Sequence, residues 1–188
     1  MTLDPIALGA ILALLVVAAL LLWWLYRSRR TSALRDRFGK SEYDRTLDRH
    51  DSRTEAEAAL IEREKRVSEL ELRSLHTDER QRFAQDWHSA KARFVDDPAA
   101  AVAEADRVIR VVMGARGYPI ADFDARYESM TVDHAEVARH YRAGHAIAGR
   151  AVEGQATTED LRQAMIHYEA LFGSLLSDEA PARATAAR

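Results

Sequence analysis

The sequence contains no cysteine, and only four prolines and eight glycines occur among its 188 residues. Without cysteine, neither a disulfide framework nor thiolate chemistry is possible. Signatures of common active sites are also missing, because the chain has no Walker loop, dinucleotide fingerprint, His-Glu-x-x-His motif or nucleophile elbow. We therefore predict a protein that is not an enzyme and that carries no cofactor.

Charge is divided unevenly along the chain. Residues 27–40 hold six Arg or Lys and one Asp, whereas residues 41–188 carry a net charge of −7, given Asp4 and the total of −3. Binding to nucleic-acid phosphates requires a clustered basic surface. An acidic domain of this kind predicts no nucleic-acid partner.

One uncharged stretch, residues 6–26, is long enough to cross a membrane as a helix. Its 21 residues would extend roughly 31 Å, which matches a hydrocarbon core of about 30 Å. Residues 1–5 contain no Lys or Arg, whereas six follow the stretch, so we predict an uncleaved span with its N-terminus outside and the domain in the cytoplasm. The alternative, a cleaved secretory signal, requires a basic N-terminal region and a shorter apolar run.

The end of this stretch carries the residue types expected at the headgroups of a bilayer. Aromatic rings with a polar tip prefer this level, and arginines there interact with anionic lipids. The predicted membrane-interface residues are Trp23, Trp24, Tyr26, Arg27, Arg29 and Arg30.

Residues 27–76 predict a basic juxtamembrane helix followed by a charged helical arm. Nothing interrupts a helix until Gly39, which suits a C-terminal cap. Two short charged helices are expected next, with Ser41 and Thr54 as N-caps. The alternating residues 69–75 indicate an extended connector whose leucines dock on the domain.

Residues 77–177 predict a bundle of about four long amphipathic helices, because apolar residues recur every three or four positions. Thr77, Asp97 with Pro98, Asp133 and Thr157 are the predicted starts of these helices. A shorter helix is expected between residues 120 and 130. The chain as a whole is predicted to be all-α, and residues 178–188 form a predicted disordered tail.

Histidines in the last two helices raise the possibility of a metal site. His134 and His145 fall within about 20° of each other on one predicted helix face, and they are the candidate ligands. However, they are eleven residues apart, roughly 16 Å along the helix axis, so they cannot bind one ion together. We favour a structural or interfacial role for both. His140 falls well away from them and is spaced from Glu136 as an ordinary surface pair.

The loop that carries Tyr118, Pro119 and Phe123 is a possible interaction surface, because it combines aromatic, proline and acidic residues. The alternative is a connection between helices that folds back on the core. Sequence alone favours this second interpretation.

Five stretches give the chain a resemblance that covers nearly its whole length: residues 37–39 (RFG), 42–46 (EYDRT), 92–98 (ARFVDDP), 116–119 (RGYP) and 158–164 (TEDLRQA). With them the chain resembles an uncharacterised family of bacterial single-span membrane-anchored helical proteins with no assigned activity. The resemblance implies a bacterial setting and a single-span layout, and we therefore predict the bacterial inner membrane as the location.

Together these features predict a membrane-anchored protein whose cytoplasmic bundle mediates protein–protein interaction or self-association. Its expected partners are the lipid bilayer and either another protein or a second copy of the chain. The alternative is a ligand- or metal-binding helical bundle tethered at the membrane.

Overall fold

The computed structural model describes residues 5–132 and 134–177, and every regular element in these ranges is a helix. The prediction of an all-α chain is therefore confirmed for them. The predicted tail at residues 178–188 and the predicted cap Asp133 lie outside the described residues. The helices in chain order are α1 (Pro5–Asp48), α2 (Arg53–Ser68), α3 (Thr77–Arg93), α4 (Pro98–Ala115), α5 (Phe123–Thr131), α6 (Ala135–Val152) and α7 (Thr158–Leu176).

Backbone contacts divide the chain into two compact units, Met1–Glu57 and Ala58–Arg188, and α2 contributes residues to both. The arm predicted over residues 27–76 is thus shared between the units. Across the described ranges, none of the helices combines the length and apolar content that crossing a membrane requires.

The first unit contains a helix break at the predicted position. α1 leaves helical geometry at Gly39, whose φ of 71° and ψ of 153° suit a residue without a Cβ atom. Glu57 of α2 is only 8% exposed, and it accepts hydrogen bonds from the hydroxyls of Thr31 at 2.7 Å and Tyr43 at 2.9 Å. Thr31 precedes the break and Tyr43 follows it, so one carboxylate contacts both parts of α1.

The second unit has a helical-bundle core, which confirms that prediction. α4 contacts α3, α6 and α7, α6 also contacts α7, and α5 packs on α6. Trp87 of α3 stacks on Phe172 of α7 with ring centroids 4.7 Å apart. The bundle also includes the end of α2, because Arg63 donates hydrogen bonds to Thr131 and Glu128 of α5, each at 3.2 Å.

Two of the predicted N-caps are confirmed. The Asp97 carboxylate accepts a hydrogen bond from the Ala100 N–H at 3.0 Å, and Pro98 occupies the first turn of α4. At the start of α7, the Thr157 hydroxyl accepts from the Asp160 N–H at 3.1 Å and the Asp160 carboxylate accepts from the Thr157 N–H at 2.9 Å. This reciprocal pair is a capping box.

Two predicted caps are displaced by one or two residues. Before α2, the hydroxyl of Ser52 rather than Thr54 accepts a hydrogen bond, from the Glu55 N–H at 3.2 Å. Thr77 is the first residue of α3, and its N-cap is His76, whose N–H donates to the Glu79 carboxylate at 2.9 Å. In each case a residue just before the predicted cap forms the capping hydrogen bond instead, and residue spacing alone does not show which residue will do so.

The predicted extended connector docks on the bundle through its leucines and its backbone. Leu75 is 6% exposed, Leu72 packs against the core, and the Arg73 N–H donates to the Arg116 carbonyl at 3.0 Å. The neighbouring Gly117 has φ of +92°, and a Cβ atom there would lie 2.5 Å from the Glu71 carbonyl oxygen. Position 117 therefore requires glycine for both conformation and space.

The helical repeat of α6 predicts that Val152 lies on the same buried face as Tyr141, but this prediction is wrong, because Val152 at the end of the helix is 87% exposed. The rest of that face is buried or half-buried. Gly144 of α6 lies opposite Tyr168 of α7, and a Cβ atom on Gly144 would approach the Tyr168 ring to 2.9 Å. The two helices can approach this closely because position 144 has no side chain.

We expect Gly144→Ala to destabilise the full chain by about 1–3 kcal/mol, because the added methyl overpacks the contact with the fully buried Tyr168. Gly149→Ala in the same helix is the matched control, since a Cβ atom there meets nothing within 4 Å. Removing the conformational freedom of that glycine should stabilise the helix by up to about 1 kcal/mol. Urea unfolding followed by circular dichroism measures both, and equal effects would contradict this packing.

Candidate functional site

A cleft of about 470 Å³ lies between α4 and α6. Its walls are small apolar side chains, and three polar residues, Asp106, Arg110 and His145, line it as well. Small side chains leave room for an apolar group to approach the helix backbones, and the polar residues can orient it. The apolar walls consist of Ala99, Ala100, Val102, Ala103, Ala148, Gly149, Ala151 and Val152.

The carboxylate of Asp106 is the most heavily bonded group of the cleft. It is 9% exposed and accepts a hydrogen bond from the Tyr168 hydroxyl at 2.8 Å. Nδ1 of His145 lies 3.4 Å from the same oxygen, and Nε of Arg110 lies 3.2 Å from the other oxygen. A buried charge requires partners of this kind. Asp106 thus links its own helix to α6 and α7.

These partners also control the protonation of the carboxyl group. Burial alone would raise the pKa of Asp106, but the hydrogen bonds from His145 and Tyr168, with the charges of His145 and Arg110, bring it below its ordinary value. Burial together with the negative charge of Asp106 raises the pKa of Tyr168. The pair is therefore an ionised carboxylate held by a neutral phenol.

Aromatic packing fixes the imidazole of His145. The ring of Phe123 stacks on it with centroids 4.0 Å apart and planes 8° from parallel. The Tyr141 ring also contacts Phe123, with centroids 4.9 Å apart, and its hydroxyl accepts a hydrogen bond from Nε of Arg126 at 2.9 Å. Arg126 also donates to the Ile120 carbonyl at 2.8 Å. The orientation of His145 is thus set from α5.

This arrangement can exchange hydrogen bonds or a proton with a bound group. Because Nδ1 of His145 faces Asp106, Nε2 is the ring nitrogen that remains for a hydrogen bond to a ligand. The side chain is 40% exposed and lines the cleft, so a ligand can reach it. The guanidinium of Arg110, 48% exposed, adds a cation beside it.

A second pair of histidines lies outside the cleft. Nδ1 of His140 on α6 and Nδ1 of His167 on α7 are 3.0 Å apart, with both side chains half-buried. Burial, with the positive charges of His140 and Arg139, lowers the pKa of His167. Within the described ranges, no three or more His, Asp or Glu side chains are grouped to hold a metal ion.

The two histidines predicted as metal candidates are separated in the structure. His145 lines the cleft, whereas His134 is the N-cap residue of α6 and is not part of the cleft lining. Their roles differ because the helix begins at Ala135, which leaves His134 before the first turn instead of on the buried face.

The predicted interaction loop packs largely against the bundle. Tyr118 is 5% exposed, and Phe123 is half-buried in contact with both the Tyr141 and the His145 rings. Pro119 is half-buried as well. The neighbouring Ile120 is a large apolar residue that is 73% exposed.

The predicted membrane-interface residues lie on α1. Trp23 and Trp24 are 59% and 61% exposed, and Arg29 is exposed as well. The side chains of the remaining three, Tyr26, Arg27 and Arg30, lie outside the described part of the structure.

Asp106 was not among the residues singled out by sequence, although a signal for it exists. It follows Val102 by four positions and precedes Ile109 by three, so it lies on the apolar stripe of α4. A lone carboxylate on a buried stripe requires partners from neighbouring helices. Those partners, Tyr168 and His145, are 62 and 39 residues away, and sequence spacing does not identify them.

We expect Tyr168→Phe to destabilise the chain by about 1.5–3 kcal/mol, because the ionised Asp106 loses a buried hydrogen bond. In an Asp106→Asn background the same change should cost less, and urea unfolding of the four proteins measures the coupling. Equal costs in both backgrounds would contradict the bond.

The same variants test the charge on Asp106. An unfolded Asp titrates near pH ~3.9, and the folded group has a lower pKa, so its stabilisation is complete above that pH and is lost as pH falls through the folded value. The stability difference between the parent chain and Asp106→Asn should therefore shrink below about pH 4. A difference that grows in acid would contradict an ionised carboxylate.

Comparison with known proteins yields no relative. No family model, curated protein or solved structure matches this chain. The function must therefore be inferred from the chemistry of the chain itself.

Proposed function

We propose that this protein is anchored by a single membrane-spanning helix and that its helical bundle binds another protein on the cytoplasmic side. One observation carries the anchor: the ten large apolar side chains between Leu14 and Leu25 are all exposed, by 44–71%. A helix that is apolar on every side is suited to lipid rather than water. The described side chains of this stretch begin at Leu14, and the sequence continues the uncharged run back to residue 6.

The surroundings of the two tryptophans support a membrane interface at the end of this run. A cavity of about 370 Å³ in the first unit is lined by both indoles, by three hydroxyl-bearing residues and by Arg53. Indoles, hydroxyls and a guanidinium suit the headgroup level, where apolar and polar surroundings meet. The hydroxyl-bearing residues are Ser28, Thr31 and Ser32.

The cleft between α4 and α6 is the proposed docking surface, and its occupant is an apolar helix of a partner protein. Ala99 and Ala103 on α4, like Ala148 and Val152 on α6, are spaced by four residues and form low ridges between which another helix can pack. The half-exposed guanidinium of Arg110 suits an acidic residue on that helix. A second copy of this chain is the alternative occupant.

A second candidate function is the binding of a small molecule in the same cleft. The fixed contacts of Asp106 with His145 and Tyr168 favour it, because they hold polar atoms rigidly beside an apolar wall. A partner helix and a small molecule differ in how much of the cleft they would contact. A helix would extend along the cleft to Val152 at the end of α6, whereas a small molecule bound beside Asp106 would not.

To test the anchor, Val16→Asp with Leu20→Asp places two charges near the centre of the proposed span, at about 2.5–3.5 kcal/mol each. Alkaline carbonate should extract this variant from membranes and leave the parent chain in them. The matched control is Val95→Asp with Val152→Asp. These two bundle residues are 86% and 87% exposed, and the control variant should stay in the membranes. Extraction of the parent chain would contradict the anchor.

Orientation can be measured because the chain has no cysteine. A membrane-impermeant maleimide should label Thr2→Cys in intact cells and should label Ser89→Cys only after lysis. The reverse pattern would contradict the proposed orientation.

To test the docking surface, a photo-crosslinking amino acid is placed at position 103 in the membrane-bound chain, with position 92, an exposed site on α3, as control. We expect a discrete protein adduct from position 103 that is lost on Arg110→Glu. An adduct of twice the chain mass identifies a second copy as the occupant. No adduct, or one insensitive to the charge reversal, contradicts a protein partner in the cleft.

A further inference from the structure

The cavity of about 370 Å³ in the first unit is lined by residues of α1 and by the first residue of α2. The two helices are joined here by Glu57 of α2, whose carboxylate accepts a hydrogen bond from Thr31 of α1 at 2.7 Å. Arg53 begins α2 one helical turn before Glu57, and it lines the cavity together with Trp23 and Trp24. The fold therefore brings a guanidinium of the second helix to the same cavity as both indoles.

The α1 wall of this cavity changes from apolar to polar along the helix. Trp24, Ser28 and Ser32 are spaced by four residues, so they lie on one face of α1, and all three line the cavity. An indole suits the boundary between acyl chains and headgroups, and the exposed hydroxyls that follow it can donate hydrogen bonds to phosphate oxygens. The order of these side chains thus matches the order of groups in a phospholipid.

Arg53 supplies the charge that a phosphate group requires. It is exposed, and within the described ranges no carboxylate forms a salt bridge with it. The buried Glu57 carboxylate one turn away is already bonded to Thr31 and Tyr43. A planar guanidinium can bind two phosphate oxygens at once, which makes arginine well suited to phosphate sites. The cavity therefore combines an available cation with hydroxyl donors.

We propose that this cavity binds one phospholipid of net negative charge, with its phosphate on Arg53, Ser28 and Ser32 and its glycerol against Trp23 and Trp24. The proposal rests on the membrane anchor proposed above, because the anchor places the two indoles at the level of the headgroups. An anionic lipid is favoured over a zwitterionic one, since Arg53 repels the ammonium group of a zwitterionic headgroup. The bound lipid holds the start of α2 at the bilayer surface.

The test uses the full chain in bilayers of equal amounts of anionic phosphatidylglycerol and zwitterionic phosphatidylcholine. Bromine on the acyl chains quenches tryptophan fluorescence at close range, so only one of the two lipids is brominated in each sample. Brominated phosphatidylglycerol should quench more strongly, with about a fivefold preference for the anionic lipid beside the indoles. Trp87 is buried in the bundle and adds the same background to both samples. Equal quenching by the two lipids overturns the proposal.

Two variants that each remove one charge assign the preference to the cavity. Arg53→Gln should abolish it, because the guanidinium that binds phosphate is lost. Arg49→Gln is the matched control and should keep it, since Arg49 is an exposed arginine four positions earlier that is not part of the cavity lining. Equal losses in the two variants would indicate a general attraction of basic residues to anionic lipid and would overturn the site.

Circular dichroism checks that these variants keep their helical content, as the exposure of both arginines predicts. If Arg53→Gln loses helical signal, the double variant Ser28→Ala with Ser32→Ala takes its place, because it removes two phosphate donors without changing the charge. An unchanged lipid preference in that folded variant overturns the site.

Free phosphate offers the same chemistry as the lipid phosphate, so a further sample replaces sodium chloride with sodium phosphate at equal ionic strength. The lipid preference should persist. Its loss would assign the cavity to free phosphate and overturn the lipid site.

The anchor and the lipid site can fail separately. A chain that resists carbonate extraction but shows equal quenching by both lipids keeps the anchor and loses the lipid site. If carbonate extracts the chain, the anchor fails, and flotation with vesicles of the same two lipids then compares the parent chain with Arg53→Gln. Equal binding of these two proteins to the vesicles overturns the lipid site.

Discussion

The buried carboxylate of Asp106 sets the arrangement of the bundle. One side chain on α4 accepts from Tyr168 on α7 and faces His145 on α6, so three helices meet at a single charge. Apolar faces alone tolerate sliding by a turn, because hydrophobic contacts are not directional. A buried charge does not tolerate it, since a shift of one turn would leave Asp106 without its donors. The cleft and the histidine pair both depend on that register.

The same register explains why Gly144 and Tyr168 meet. A phenol that reaches Asp106 must cross the face of α6, and only a position without a side chain gives it room. The hydrogen bond to Asp106 and the close approach at Gly144 therefore depend on the same placement of the Tyr168 side chain. Phe123 extends this fit to α5, because its ring orients the imidazole that faces the same carboxylate.

Features with a local cause could be predicted from the sequence. The caps at Asp97 and Thr157 and the break at Gly39 depend on residues within a few positions of each other, where spacing is informative. Val152 was misplaced because a helical repeat does not show where the neighbouring helix ends. The apolar composition of the bundle core followed from periodicity for the same local reason.

The candidate sites were harder to predict because their members come from different helices. His140 and His167 occupy unremarkable positions on their own helices, and only the pairing of α6 with α7 brings their nitrogens to 3.0 Å. Asp106 carried a sequence signal, a charge on an apolar stripe, but its partners required the packed bundle. Contacts of this kind depend on helix register, which no spacing rule supplies.

Glu57 restricts the freedom of the helix break in α1. A glycine between two helical segments would ordinarily allow them to change their relative orientation, since its backbone has many accessible conformations. Here the Glu57 carboxylate accepts one hydrogen bond from Thr31, before the break, and one from Tyr43, after it. Glu57 itself is buried. These two hydrogen bonds therefore fix the bend at Gly39, so that the two parts of α1 keep one orientation relative to each other.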